Sequence, residues 1–282
     1  MRIFLTGGTG FIGSHLLQQA LPAGHDVVAL RRPGAEARIP LDEQPHWLEG
    51  ALADDWSEAL ASCDAFIHLA AYGVADGAHD WEGCFQTNVI DSLRLWRQAV
   101  AAGIRRFLIV GSCFEYGRSA ERYDFIPVTA PLEPTTAYGA SKAAATMAAL
   151  ALAVEKHLEL LVARPFHVYG KGEAEGRFWP SLVEAATGGN ELPMTMGDQI
   201  RDFQPVHQAA AQLLEWLQIS HLQPGIPQVV NLGTGAPRSL LAFAQDEWSR
   251  LQAKTALRPG AIPHRPHEVL RYVPEKTDLP QS

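Results

Sequence analysis

With 282 residues, 47% of them hydrophobic and 19% charged, the chain is long enough for one large α/β unit or two lobes and has ample apolar material for a core. A net charge of −8, with no run of Lys or Arg longer than two, argues against a nucleic-acid or anionic-membrane partner. Cys63, Cys84 and Cys113 are too few and too scattered for a disulfide framework or a metal site, and no apolar stretch approaches the roughly 20 residues that span a bilayer, so a soluble, metal-free, cytoplasmic protein is expected. No signal peptide is expected, because a strand begins at Arg2. Strands are predicted near Arg2–Thr6, Asp26–Leu30, His46–Glu49, Ala65–Leu69, Arg106–Gly111, Glu159–Ala163 and Gln228–Asn231, with helices between them. Asn88–Ala102 puts Val89, Leu93, Trp96 and Val100 on one helical face, and Ala137–His157 reads as a long alanine-rich helix. After Pro165 the chain is richer in Gly, Pro and isolated aromatics. Helices are predicted at Arg177–Thr187 and Gln208–Ile219, and a proline-rich tail from Arg258 is expected to wrap across a cleft.

The alternation implies a parallel sheet. Its first turn is the most informative segment: Met1–Thr6 is apolar and β-prone, Gly7-Gly-Thr-Gly10-Phe11-Ile12-Gly13 follows at once, and a helix opens at Ser14. Glycines admit the tight turn and let a pyrophosphate approach the backbone, while the helix N-terminus offers free N–H groups. In the strand–turn–helix context this spacing marks a dinucleotide site. The expected fold is therefore an α/β Rossmann doubly wound parallel sheet with a smaller, interleaved C-terminal lobe. Residues 1–165 and a returning strand at 228–236 would form the NAD(P)-binding domain, and residues 166–227 and 237–282 the other lobe.

The second strand runs into Leu30-Arg31-Arg32. An acidic residue there suits the ribose hydroxyls of NAD, whereas guanidinium groups suit the 2′-phosphate of NADP. Arg31 and Arg32 thus favour NADP(H) over NAD(H); the alternative is a pair of solvated loop residues. Tyr138 and Lys142 stand at i and i+4, one helical turn apart. A neighbouring ammonium and an oxidised nicotinamide ring would both favour the phenolate, letting Tyr138 exchange a proton with a sugar oxygen near neutral pH.

These segments together resemble the extended short-chain dehydrogenases/reductases that act on nucleotide sugars, and the likeness covers nearly the whole chain. Thr6-Gly7-x-x-Gly10-x-x-Gly13 resembles their cofactor turn, and His68-Leu69-Ala70-Ala71 the segment after their fourth strand that touches the cofactor. Asn88 matches a helix-start asparagine with a structural role and is also a cofactor-binding candidate. Val110-Gly-Ser-Cys-Phe-Glu-Tyr-Gly117 resembles S-S-x-x-V-Y-G, which implies that Ser112 bonds the reacting oxygen and completes a triad with Tyr138 and Lys142. Arg164-Pro165-Phe-His167-Val168-Tyr-Gly170 resembles R-P-x-N-V-Y-G, placing Pro165 and Val168 near the nicotinamide. Gln199-Ile-Arg201-Asp-Phe203 resembles Q-x-R-D-F and Arg265-Pro-His-Glu268 resembles R-P-x-[DE]. The likeness implies that Arg201 and Arg265 reach the nucleotide diphosphate and Glu268 a ribose; each arginine alone is equally an ordinary surface ion pair.

Departures from the family pattern narrow the reaction. Its 4,6-dehydratases carry Asp-Glu after the catalytic hydroxyl residue, where this chain has Cys113-Phe114, so dehydration is not expected. Both side chains are candidates for the substrate wall, with Cys113 expected as a small buried thiol rather than a nucleophile. His167 replaces the usual Asn and is read either as a substrate ligand or as a satisfied structural histidine. What remains is chemistry at carbon 4 of a nucleotide-diphosphate sugar. One reading is NADPH reduction of a 4-keto-6-deoxy sugar nucleotide, since the Cys-Phe-Glu-Tyr-Gly segment is most similar to 4-ketoreductases of the CDP-abequose/paratose type. The others are an NAD-dependent 4-epimerase and, distantly, a non-catalytic dinucleotide-sensing module. A homodimer through the helices at Asn88–Ala102 and Ala137–His157 is also implied.

Overall fold

The computed structural model describes residues 1–74, 79–220, 222–264 and 269–277. Its strands are β1 (Arg2–Thr6), β2 (Asp26–Arg31), β3 (His46–Glu49), β4 (Ala65–His68), β5 (Arg106–Val110), β6 (Glu159–Pro165), β7 (His167–Tyr169), β8 (Leu192–Met194), β9 (Ile200–Arg201), β10 (Phe203–Pro205), β11 (Gln228–Leu232), β12 (Arg238–Ser239), β13 (Leu257–Pro259) and β14 (Arg271–Tyr272). Its α-helices are α1 (Phe11–Ala20), α2 (Ser57–Leu60), α3 (Trp81–Phe85), α4 (Ser92–Ala101), α5 (Ala137–Lys156), α6 (Phe178–Gly188), α7 (Val206–Leu217) and α8 (Leu240–Arg250).

Seven strands form one sheet in the order β11-β6-β5-β4-β1-β2-β3, with every pairing parallel. Such a sheet must be covered on both faces, and the alternation along each strand does this. Ile3, Leu5, Val27, Ile67, Leu108 and Leu161 point to the layer of α1 and α7. Phe4, Val28, Phe66, Phe107, Ile109 and Leu160 point to the layer of α4 and α5. Phe4 stacks on Phe66 and Phe66 packs tilted against Phe107 across β1, β4 and β5, with centroids 5.6 and 5.3 Å apart. The strand order reverses beside β1, and β1 and β4 end side by side, Thr6 in register with His68. That reversal opens a crevice at the carboxyl ends of the strands, where open α/β sheets bind ligands.

Elements from the C-terminal third build a smaller layer, with α6, β8 and α8 packed around Leu182, Met194, Ala244 and Trp248. The tail binds back on the 113–130 segment: Ile126 donates to the Val273 carbonyl and Glu275 to that of Ile126, at 2.8 and 2.9 Å.

Two expectations are corrected. The helix predicted at Asn88–Ala102 begins earlier and is not uniform: α3 leads into a π-helical stretch, Gln86–Asp91, before α4. Asn88 and Ser92 use this wider turn for long-range bonds, a common use of π-bulges. The second correction concerns apolar length. α5, 20 residues, is long and apolar enough to cross a membrane, but its Ala145, Ala149 and Ala153 pack against the sheet.

Candidate active site

The β1–α1 turn closes tightly because two positions lack a side chain. Gly7 has φ +75°, and a Cβ there would lie 2.6 Å from the Ala70 nitrogen; a Cβ on Gly13 would lie 2.1 Å from the Gly7 oxygen. Gly10, the N-cap of α1, has no side chain to cap it, and the first intrahelical bond is Ser14 N–H to the Gly10 carbonyl. The N–H groups of Phe11, Ile12 and Gly13 therefore stand at a positively polarised helix end that is open to an anion. Thr6 ties this turn to the end of β4: its Oγ1 lies 2.8 Å from His68 Nδ1 and accepts from the Ala70 N–H at 3.3 Å. His68 Nε2 lies 3.0 Å from Ser92 Oγ, and burial pushes this histidine down to about 3, so it is a neutral strut.

A cavity of about 990 Å³ runs from this turn across the ends of β2, β4, β5 and β6. Gly7, Gly10, Phe11, Ile12, Gly13, Leu69, Ala70, Ala71, Pro165 and Val168, all expected near a cofactor, line it. Asn88 does not. Its Oδ1 accepts from the Tyr72 N–H at 2.7 Å, and its Nδ2 donates to the Tyr72 carbonyl and to Ser141 Oγ at 3.0 and 2.9 Å. It clips the loop after β4 to α5. Arg31 and Arg32 both reach the wall, but their surroundings differ. Arg31 Nη2 pairs with Glu49 Oε1 at 2.7 Å and its guanidinium lies 5.1 Å from the Trp47 ring centre, whereas Arg32 is exposed.

Ser112, Tyr138 and Lys142 meet on the same wall. Ser112 begins a short 3₁₀ turn, Cys113–Glu115, and its Oγ accepts from the Phe114 N–H at 3.2 Å. Thr136 caps α5 by accepting from Gly139 at 3.1 Å, which starts the helix so that Tyr138 and Lys142 project from its first turns. Tyr138 is 9% exposed and meets the Phe114 ring edge-on at 6.2 Å. Burial pushes its phenol up, and Ser112 opposes that by hydrogen bonding. Lys142 Nζ donates to the Val110 carbonyl at 2.7 Å, and burial pulls the amine down to about 8.

Cys113 and Phe114 also line the cavity. Burial raises the Cys113 thiol to about 12, so it is inert, and its carbonyl accepts from Tyr272 Oη at 2.6 Å. His167 is on the wall as well; burial takes it down to about 3, and its buried Nδ1 has no partner. Arg201 is not on the wall: its Nη1 donates to the Ile200 and Leu270 carbonyls at 3.0 Å each. Arg265 and Glu268 lie outside the described residues. Sequence reasoning missed Glu173 and Arg177, which line the cavity from the loop before α6. Glu173 is pushed up to about 7 by burial, and Arg177 donates to the Val74 carbonyl across the cleft. No motif marks them; the available signal was the Gly- and aromatic-rich run from 166 to 179.

Residues 3–233 match the NAD dependent epimerase/dehydratase family. The chain belongs to this family. Members are NAD(P)-dependent enzymes of nucleotide-sugar chemistry, and so is this chain. It is 24% identical to a UDP-glucose 4-epimerase of Corynebacterium glutamicum, covering 99% of this chain and 92% of the relative. It is 30% identical to the GDP-6-deoxy-D-mannose reductase of Pseudomonas aeruginosa, covering 85% and 76%. Identity to the CDP-abequose synthase of Salmonella muenchen is 23%, covering 95% and 87%. Among solved structures, MoeE5 in complex with UDP-glucuronic acid and NAD superposes with a TM-score of 0.82 at 25% identity, covering 98% of this chain and 90% of that one. The glycine turn suits the nicotinamide dinucleotide this family uses, because any Cβ at Gly7 or Gly13 would collide with the backbone that shapes the cradle.

Proposed function

We propose that this enzyme reduces the carbonyl at carbon 4 of a 4-keto-6-deoxy sugar nucleotide with NADPH. The observation that carries the reading is Arg32. It stands exposed on the cavity wall at the end of β2, where an acidic residue would select NAD, in the same cavity as Tyr138. The reductase and CDP-abequose synthase relatives support it. When bound, the nicotinamide supplies the hydride. Tyr138 donates a proton to the carbonyl oxygen, Ser112 polarises that oxygen through its hydroxyl, and Lys142 holds a cofactor ribose hydroxyl and favours the phenolate that Tyr138 becomes. Cys113-Phe114 offers no carboxylate pair to eliminate water. We read residues 166–227 and 237–282 as the half that holds the nucleotide sugar, with His167 on its wall and Arg201, Arg265 and Glu268 assigned to the nucleotide.

A second reading, an NAD-dependent 4-epimerase, is supported by the Corynebacterium relative and by the engagement of Arg31 with Glu49. Native mass spectrometry of the purified protein separates the two. The reductase reading expects an empty site that fills on addition of NADPH; NAD retained through purification would favour the epimerase.

We further infer a homodimer. Trp81 on α3, Ile90 in the π-helical stretch, and Met147 and Val154 on α5 are each at least half exposed. Ile90, Met147 and Val154 leave apolar area on the helix pair already expected to dimerise, and Trp81 extends it onto α3. Light scattering should give twice the 30.8 kDa chain mass, and Met147→Lys should halve it. A monomer mass across a wide concentration range would refute the dimer.

A further inference from the structure

The turn that carries Ser112 departs from the family's S-S-x-x-V-Y-G at two places, Gly111 and Glu115, and the two departures are one feature. A Cβ on Gly111 would lie 2.4 Å from Glu115 Oε1, so the carboxylate occupies the space that a side chain at 111 would take. Glu115 is fully buried. Its Oε1 accepts from the Ser112 backbone N–H at 2.8 Å, and its Oε2 accepts from Arg164 Nε at 2.8 Å. Both oxygens face donors, an arrangement that suits the ionised carboxylate and leaves no acceptor for an acid proton.

The partner cation is itself anchored. Arg164 Nη1 donates to Tyr116 Oη at 3.0 Å, Tyr116 Oη donates to Asn231 Oδ1 at 2.7 Å, and Asn231 Nδ2 donates to the Ile126 carbonyl at 2.8 Å. A buried ion pair is retained at a cost unless its remaining polar groups are bonded, and here both Glu115 oxygens and Arg164 Nη1 are. Burial pushes the Glu115 carboxyl up from the ordinary range, while Arg164, the Ser112 N–H and Lys142 pull it back.

Lys142, which interacts electrostatically with Glu115, donates its Nζ to the carbonyl of Val110, the residue before Gly111. The titratable groups around Lys142 come from three elements: Glu115 from the 113–115 turn, His68 from β4, and Tyr138 from its own helix. His68 is neutral and the nearby Cys113 thiol is protonated, so Glu115 is the anion facing the amine.

We propose that Glu115, admitted by Gly111 and paired with Arg164, is a positioning residue that fixes the Ser112 turn and keeps Lys142 an ammonium beside Tyr138. This rests on the reading of Ser112, Tyr138 and Lys142 as the reacting groups. Burial, opposed by the Glu115 carboxylate, leaves the amine at about 8. Removing the anion lowers it further, into the range where the enzyme would lose the ammonium at neutral pH.

The test is direct because the chain has five lysines: Lys142, Lys156, Lys171, Lys254 and Lys276. In the full chain labelled with ¹³Cε-lysine, the Lys142 signal is the one lost in Lys142→Arg. In Glu115→Gln its titration midpoint should fall by about one pH unit or more, the usual effect of removing a nearby opposite charge. The Tyr138 chemistry needs the ammonium, so activity is lost as pH rises through that midpoint. The high-pH limb of turnover should therefore move down by the same interval. Glu115→Gln strands the Arg164 charge, so two further variants are read in parallel. Glu115→Leu/Arg164→Met replaces the pair with apolar groups, and Gly111→Ala displaces the carboxylate without removing it. A Lys142 midpoint at the wild-type value in any of these that is folded by circular dichroism overturns the proposal. The titration requires no turnover. A shifted midpoint in a protein inactive on 4-keto sugar nucleotides would uphold this role and overturn the proposed reaction instead.

Discussion

Tyr138→Phe should lower turnover of a 4-keto sugar nucleotide by about 10²- to 10⁴-fold, the range assigned to a positioned proton donor, while NADPH affinity changes little. The substitution deletes one oxygen and keeps the ring that packs edge-on against Phe114. Tyr138 is almost fully buried on the cavity wall, so its hydroxyl serves the enclosed space rather than the surface. Cofactor contacts made by the glycine turn lie on β1 and α1, a separate pair of elements, and should survive. Steady-state NADPH oxidation gives the rate, and quenching or enhancement of NADPH fluorescence gives the affinity. Turnover within threefold of wild type would remove Tyr138 from the chemistry. A parallel loss of cofactor affinity would mean that the hydroxyl is needed for the shape of the cleft instead.

The sheet was legible in the sequence to within a residue or two at each strand, for a physical reason. A parallel sheet buried on both faces demands continuous apolar runs, and Phe4-Leu5, Val27-Val28-Ala29 and Phe66-Ile67 have no other stable place. The glycine turn was equally legible, since Gly7 and Gly13 tolerate no side chain. The π-helical stretch was not. It exists because Asn88 reaches Tyr72 and Ser141 and because Ser92 Oγ bonds the Thr87 carbonyl at 2.8 Å, and both partners of Asn88 lie far away in sequence. Tyr272 holds the Cys113 carbonyl from 159 residues away, with no local pattern to announce it. Glu173 and Arg177 depend on how the loop after β7 folds over the cleft. Glu115 was visible as a letter in a motif, but its burial and its claim on the space at Gly111 appear only when β5, α5 and β6 are assembled.

The same limit decides what can be expected of the cofactor selector. Arg31 and Arg32 read alike in sequence, but β2 and β3 pair so that Arg31 lies in register with Glu49. The guanidinium of Arg31 is thereby committed to a carboxylate and to the face of Trp47. Arg32 carries no such commitment and stands exposed on the wall. Arg32→Ala should therefore weaken NADPH by roughly 10- to 100-fold, the equivalent of one charge-assisted hydrogen bond of about 1.5–3 kcal/mol, and leave NADH within about threefold. Arg31→Ala should cost less for NADPH, because a 2′-phosphate must compete with Glu49 for that side chain. The double substitution should lose the preference altogether. Fluorescence titrations with both cofactors at fixed ionic strength measure this, since raising salt screens an exposed arginine–phosphate contact. Equal losses for NADPH and NADH in Arg32→Ala would mean that the side chain supports the loop and does not read the phosphate. The selection of NADPH, and with it the reductase reading over the epimerase, would then lose its main support.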